Sequence, residues 1–141
     1  MNDPYRLERF VTAQDRSGSY AQAVSELRQG SKSGHWMWFV FPQIAGLGRS
    51  AMSREFAISS LAEAQAYLRH PVLGPRLIEC ARALAAVTGR SATQILGSVD
   101  AQKLRSSMTL FTRAAPETPI FREVLARYFG RAEDPATTRR L

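Results

Sequence analysis

The chain has 141 residues, 45% of them hydrophobic, with a formal charge of +7, a pI near 10.5 and one cysteine. Such a length predicts a single domain over residues 1–141 that buries roughly 68–70% of its unfolded surface, which excludes the need for a disulfide or metal staple. The basic residues are spread from Arg6 to Arg140 and only Arg139 and Arg140 are adjacent, so the charge predicts weak attraction for polyanions and does not mark a dedicated nucleic-acid segment.

The opening MNDPYRLERF is charged and lacks an apolar h-region, and no run approaches the ~20 apolar residues of a membrane span. A cytoplasmic, reducing setting with no membrane association is the expectation. Asp3 and Pro4 predict the cap and first turn of a helix that presents Leu7, Phe10 and Val11 and runs to about Arg16. Ser19 is read as the cap of a second helix with Tyr20, Val24 and Leu27 facing inward, closed by Gly30.

After the loop 31–34 comes the densest stretch of the chain, His35 to Gly48, which holds both tryptophans together with Phe39 and Phe41. Residues 36–41 are all large and apolar, at ~1.5–3 kcal/mol for each fully buried side chain, and form the hub of a core. A short apolar run fits strand or helix equally. No second run reads as a partner strand, and a lone strand would leave its backbone unpaired, so a short buried helix capped by Ser33 is predicted.

Ser53–Ile58 adds a helical turn, and Ser60 with Glu63 forms a capping box for a helix over 61–69. His70 and Pro71 break that helix, and Pro71 restarts a long one with Leu73, Leu77, Ala81 and Leu84 inside and Thr88 and Gly89 as its end. Cys80 falls on the apolar face and is read as buried filler. Ser91 caps 92–96, Ser98 caps a helix to about Ala115, Thr118 and Pro119 open another that Gly130 closes, and Asp134 with Pro135 begins a last short one. Every boundary carries its own cap or breaker, so the fold class is all-α, a bundle of about eight helices.

Several groups carry potential chemistry. The loop Gly46, Leu47, Gly48, Arg49, Ser50 has the converging N–H groups of an anion cradle, with Arg54 and Ser53 beside it. It lacks Walker spacing, and the plainer alternative is a tight surface turn. His35 is placed on a helical face with Phe39, pointing near the loop, as a general base or stacking group; the alternative is a hydrogen-bonded structural histidine. Gln43 follows the aromatic run. Trp36 and Trp38 offer stacking faces, although packing is the default, with one of the two partly exposed.

Asp100, Lys103 and Ser107 recur at i, i+3 and i+7, a stripe able to manage protons at a glycosidic bond, or else a solvated ion pair. Glu55 is a second candidate acid. Lys32 and Lys103 are the only lysines beside seventeen arginines, which marks places where a compact point charge is needed, the alternative being chance. No metal is expected, because only His35 and His70 exist and no ligand spacing joins them, and no cofactor motif is present.

The segments HWMWFVFPQIAGLGRSAMSREFAI (35–58), EAQAYLRHPVLGPRL (63–77), KLRSSMTLF (103–111) and DPAT (134–137) resemble the bacterial family catalogued as domain of unknown function 1810, some of whose members carry the label "calpastatin". The resemblance spans most of the chain and implies a small helical protein. It brings no established activity, and the chain resembles a disordered protease inhibitor in neither length nor composition. The order of elements is also distantly similar to that of NADAR (YbiA-like) proteins, which act on N-glycosidic bonds of ADP-ribose-like or ribosylated pyrimidine compounds. That similarity rests on layout and carries over no residue.

Two readings follow for a small anionic or nucleotide-like ligand. One is a hydrolase of N-glycosides, with Asp100 or Glu55 and Lys103 handling protons, a tryptophan stacking the base and the loop holding phosphate. The other is a non-catalytic module that binds an anion, a nucleic-acid end or a protein.

Overall fold

A computed structural model describes residues 2–141 and is helical: α1 (Glu8–Asp15), α2 (Ser19–Gln29), α3 (Met37–Val40), α4 (Ala51–Glu55), α5 (Leu61–Arg69), α6 (Leu73–Ala86), α7 (Ala92–Leu96), α8 (Ser98–Ala114), α9 (Pro119–Phe129) and α10 (Pro135–Thr138). The all-helical expectation holds, with ten α-helices and one 3-10 turn (Arg16–Gly18) among the described residues against the about eight expected; α3 and α10 are single turns. Among the described residues there is no strand, but one isolated parallel bridge pairs Ile44 with Ile58. Its bonds, Ala45 N–H to the Ile58 carbonyl and Ile58 N–H to the Gln43 carbonyl, are both 2.8 Å and close the base of the segment that contains α4.

The longest helix, α8, packs against α5, α7, α9 and α10. Ten of its seventeen residues are buried, the polar Ser106, Ser107, Thr109 and Thr112 among them. Aromatic rings form a continuous line through the core, from Phe39 to Phe56, Phe10, Tyr67, Phe111 and Phe121, with centroids 5.1 to 5.8 Å apart. Such tilted and edge-on pairs add about 0.5–1.5 kcal/mol each beyond their buried area. Cys80 is fully buried on α6, and burial pushes its thiol up to about 12.

The aromatic stretch is anchored by one carboxylate. Glu26 on α2 accepts from the N–H groups of Ser33 and Gly34, the Ser33 hydroxyl, the Trp36 indole and the Gln22 amide, at 2.7 to 3.1 Å. Burial raises the carboxyl's pKa, but the backbone donors Gly34 and Ser33 with Gln22 and Trp36 outweigh it and hold the pKa at about 2. This overturns the expected cap: α3 begins after Trp36 with no side-chain cap, and Ser33 serves Glu26 instead. His35 therefore precedes the helix and is exposed, so it does not share a helical face with Phe39. Of residues 36–41 all are buried except Trp38, which is half-buried.

Other ends differ by a residue or a turn. Pro4 lies outside α1, and Asp3 caps from a distance by accepting from Leu7 and Glu8 N–H at 2.6 and 3.0 Å. Ser19 and Ser98 are first helical residues and not caps; Gly18 and Gly97, both with positive φ, precede them. Thr118 makes no side-chain cap bond, although Pro119 does open α9. The segment over 53–58 is instead α4, capped by Ser50. Ser60 caps α5, but Glu63 reaches back to Ser59 and not Ser60, whereas Ser91 and Gln94 form a complete capping box. α6 ends at Ala86, before Thr88 and Gly89.

Two outcomes follow. Glu26 is depressed on folding, so its contribution is full above about pH 4.5 and is lost as pH falls toward about 2. E26Q should lower stability near neutrality by about 1.5–3 kcal/mol and flatten the pH dependence across that window, as read by urea unfolding. On Gly74, a Cβ would sit 2.1 Å from the Leu68 carbonyl oxygen, so the close contact of α5 with α6 requires glycine there. G74A should cost about 1–3 kcal/mol by the same assay.

Candidate functional site

The glycine-rich loop and the start of α4 are held by their own side chains. Ser50 accepts from Ser53 N–H at 3.1 Å and bonds its hydroxyl at 2.9 Å, so both hydroxyls are engaged in a helix cap. At Gly48 a Cβ would lie 2.4 Å from Ser53, and at Gly46, where φ is +97, it would meet the Arg140 guanidinium at 2.9 Å. Arg140 also donates to the Gly46 carbonyl at 3.3 Å, laying the C-terminal segment against the loop. The glycines thus serve close approach and a left-handed turn. Arg49 and Arg54 are exposed, as is Glu55, whose side chain lies 3.9 Å from Arg6 and whose carbonyl accepts from Arg9 at 2.8 Å.

The expected stripe on α8 is split. Asp100 sits between the chain's two lysines: Lys32 Nζ is 2.7 Å from Oδ2 and Lys103 Nζ is 3.4 Å from Oδ1. Each ammonium also lies over an indole, Lys32 over Trp36 at 5.0 Å and Lys103 over Trp38 at 4.8 Å. Lys32 donates further to the Gly34 carbonyl at 2.6 Å. A compact ammonium satisfies a carboxylate, a carbonyl and a ring face together, where a planar guanidinium has different geometric needs. Ser107, by contrast, is fully buried, with a hydroxyl that finds no partner.

Beside Lys103 opens a cavity of about 460 Å³, within the ordinary range for small-ligand sites. Its walls come from three separated segments: Gln43, Leu47 and Gly48; Val99, Gln102, Lys103 and Ser106 of α8; and Asp134 and Ala136 at the start of α10. Buried Asp134 caps α10 by accepting from Thr137 N–H at 3.2 Å and its hydroxyl at 2.6 Å, and accepts from the Gln102 amide at 3.2 Å. Ser106 and Thr137 hydroxyls are 2.7 Å apart, and Asp134 N–H donates to Thr109 at 2.9 Å. This network fixes α10 on α8 and with it one wall of the cavity.

Of the residues singled out from the sequence, Gln43, Gly48 and Lys103 meet at this cavity, with Asp100 and Trp38 directly behind Lys103. His35, Glu55, Gly46, Arg49, Ser50, Ser53, Arg54 and Ser107 do not line it, and Trp36 is buried beneath the Lys32 side. Gln102, Ser106 and Asp134 went unnoticed as site residues. The one available signal was that Ser106 lies in KLRSS and Asp134 in DPAT, both within segments carrying the family resemblance; Gln102 lies in neither. Among the described residues no three His, Cys, Asp or Glu side chains gather to hold a metal ion, and no helix is long and apolar enough to cross a membrane.

A family model described as "Protein of unknown function (DUF1810)" matches residues 4–141. No curated protein matches the chain. The crystal structure of the conserved hypothetical protein Rv1873 from Mycobacterium tuberculosis is similar at 52% identity and a TM-score of 0.95, covering 99% of this chain and 98% of that one.

The two-lysine arrangement has a measurable consequence. D100N should destabilise the protein by about 1–3 kcal/mol by leaving a mostly buried Lys32 without its counter-charge. A double-mutant cycle of D100N with K32M should show coupling, and additive losses would mean that the pair contributes nothing as a pair.

Proposed function

The chain belongs to the DUF1810 family, and from that premise we propose that the cavity between loop 43–48, α8 and the start of α10 binds a small anionic ligand of the nucleotide or ADP-ribose class. The observation that carries this reading is Lys103, an ammonium on the cavity wall held in position by Asp100 and the face of Trp38. A pre-positioned ammonium recognises phosphate as a point charge without the cost of ordering a flexible side chain. Gln43 and Gln102 bring amides to the same walls, suited to the polar edge of a base, and Leu47 and Val99 supply apolar surface against its ring.

Hydrolysis of an N-glycosidic bond is a second reading, and Asp134 favours it. Three hydrogen bonds occupy its roughly four acceptor positions, leaving one to orient a water. In that reaction the water adds to the anomeric carbon as the C–N bond breaks. The Lys103 ammonium gives its proton to the departing nitrogen, and the proton lost by the water restores Lys103. Binding is the better supported reading because both carboxylates near the cavity are engaged in structural bonds and exposed His35 does not line it.

The test is a thermal-shift panel of nucleotides, ADP-ribose and NAD with the wild type and K103M. A ligand at 100 times its Kd should stabilise the wild type by about 2.7 kcal/mol, and K103M should lose most of that shift. No shift with any compound would defeat the proposal. Release of free base from NAD or a nucleoside by the wild type, and not by K103M, would establish the hydrolytic reading.

A further inference from the structure

A second cavity, of about 400 Å³, lies between the C-terminal half of α8 and α9 and shares no residue with the first. Leu125, Ala126 and Pro119 give it apolar walls. At its rim stand Arg122 and Arg131, with Glu123 and Glu133. Glu133 is neutralised by a two-pronged pair with Arg113, at 2.8 and 2.7 Å, and that hydrogen bonding holds its carboxyl below the usual range. The Arg131 side chain makes no ion pair or hydrogen bond among the described residues. Its backbone is nevertheless fixed: Arg131 N–H donates to the Leu125 carbonyl at 3.0 Å, and Arg105 holds the carbonyls of Ala132 and Glu133 at 2.9 and 2.7 Å.

Thr112 supplies an independent observation. It lines the same cavity, it is more than nine-tenths buried, and its hydroxyl has no hydrogen-bond partner. Buried hydroxyls are ordinarily satisfied, and the exceptions call for an explanation. Threonine in a helix divides between two χ1 rotamers, and passing from one to the other exchanges the methyl and hydroxyl groups.

We propose that the α8–α9 cavity is a binding site for a small apolar molecule ending in a carboxylate, with Arg131 pairing the carboxylate and the Thr112 hydroxyl, now closed off from solvent, turning to the other rotamer to hydrogen-bond it. Apolar walls take the hydrocarbon body. The free guanidinium selects an anion over an alcohol, and Glu123, the rim carboxylate without an ion pair, opposes it.

Octanoate and octan-1-ol serve as probes, titrated into isotope-labelled protein with methyl and amide NMR shifts as the readout. Octanoate should bind saturably and move Thr112, Leu125 and Ala126. R131Q, an exposed change that leaves the core untouched, should weaken octanoate about ten-fold with little effect on octanol, the worth of one charge-assisted bond. E123Q should tighten octanoate, and T112V should weaken it. Absence of saturable octanoate binding, shifts confined to other residues, or equal affinity in wild type and R131Q would each overturn the proposal. None of these outcomes depends on the Lys103 cavity.

Discussion

The carboxylate of Glu26 is the contact on which the arrangement of the chain's centre depends. An apolar run such as Trp36 to Phe41 provides driving force for burial but no direction, because the hydrophobic effect is proportional to area and indifferent to orientation. Direction comes from five donors that converge on Glu26: two backbone N–H groups, a hydroxyl, an amide and an indole. Together they fix where segment 33–36 leaves α2 and which face Trp36 presents. A buried charge is tolerable only when it is satisfied this fully.

From that point the constraint passes outward to the cavity. Trp36 lies beneath Lys32, Lys32 pairs with Asp100, Asp100 pairs with Lys103, and Lys103 rests on Trp38 at the edge of the Gln43 cavity. Ammonium and carboxylate groups alternate, each ammonium also over an aromatic face, and link the buried centre of the molecule to a cation on the cavity wall. The same helix serves both ends: α8 gives Leu104, Met108 and Phe111 to the core and Gln102, Lys103 and Ser106 to the cavity. Lys103 is therefore carried on a helix that is itself part of the core.

Membership of the DUF1810 family and the close likeness to Rv1873 place the fold beyond argument while assigning it no chemistry. What the fold adds to that membership is geometric: three short segments meet around one cavity. A second cavity, between the C-terminal half of α8 and α9, has different chemistry, with apolar walls and a charged rim that includes Arg131. One small domain thus offers two concave sites of unlike character.

Helices were legible in the residues because their ends are local events. Gly30 and Gly130 close α2 and α9 in left-handed turns, and Ser60, Ser91 and Asp134 cap α5, α7 and α10 within three residues of themselves. Ser33 and Ser53 misled for the opposite reason: Ser33 answers a carboxylate seven residues earlier and Ser53 answers the Ser50 cap, and neither allegiance shows in composition. The sequence by itself determined an all-helical domain with a core around residues 36–41, since periodicity, caps and bulk act over a few residues. Only tertiary structure decided that both lysines share one aspartate, that Asp134 faces Gln43 across a cavity and that Arg140 rests on Gly46, because those partners lie from 68 to 94 residues apart, excepting the Asp100–Lys103 turn, and no local pattern encodes a contact at that distance.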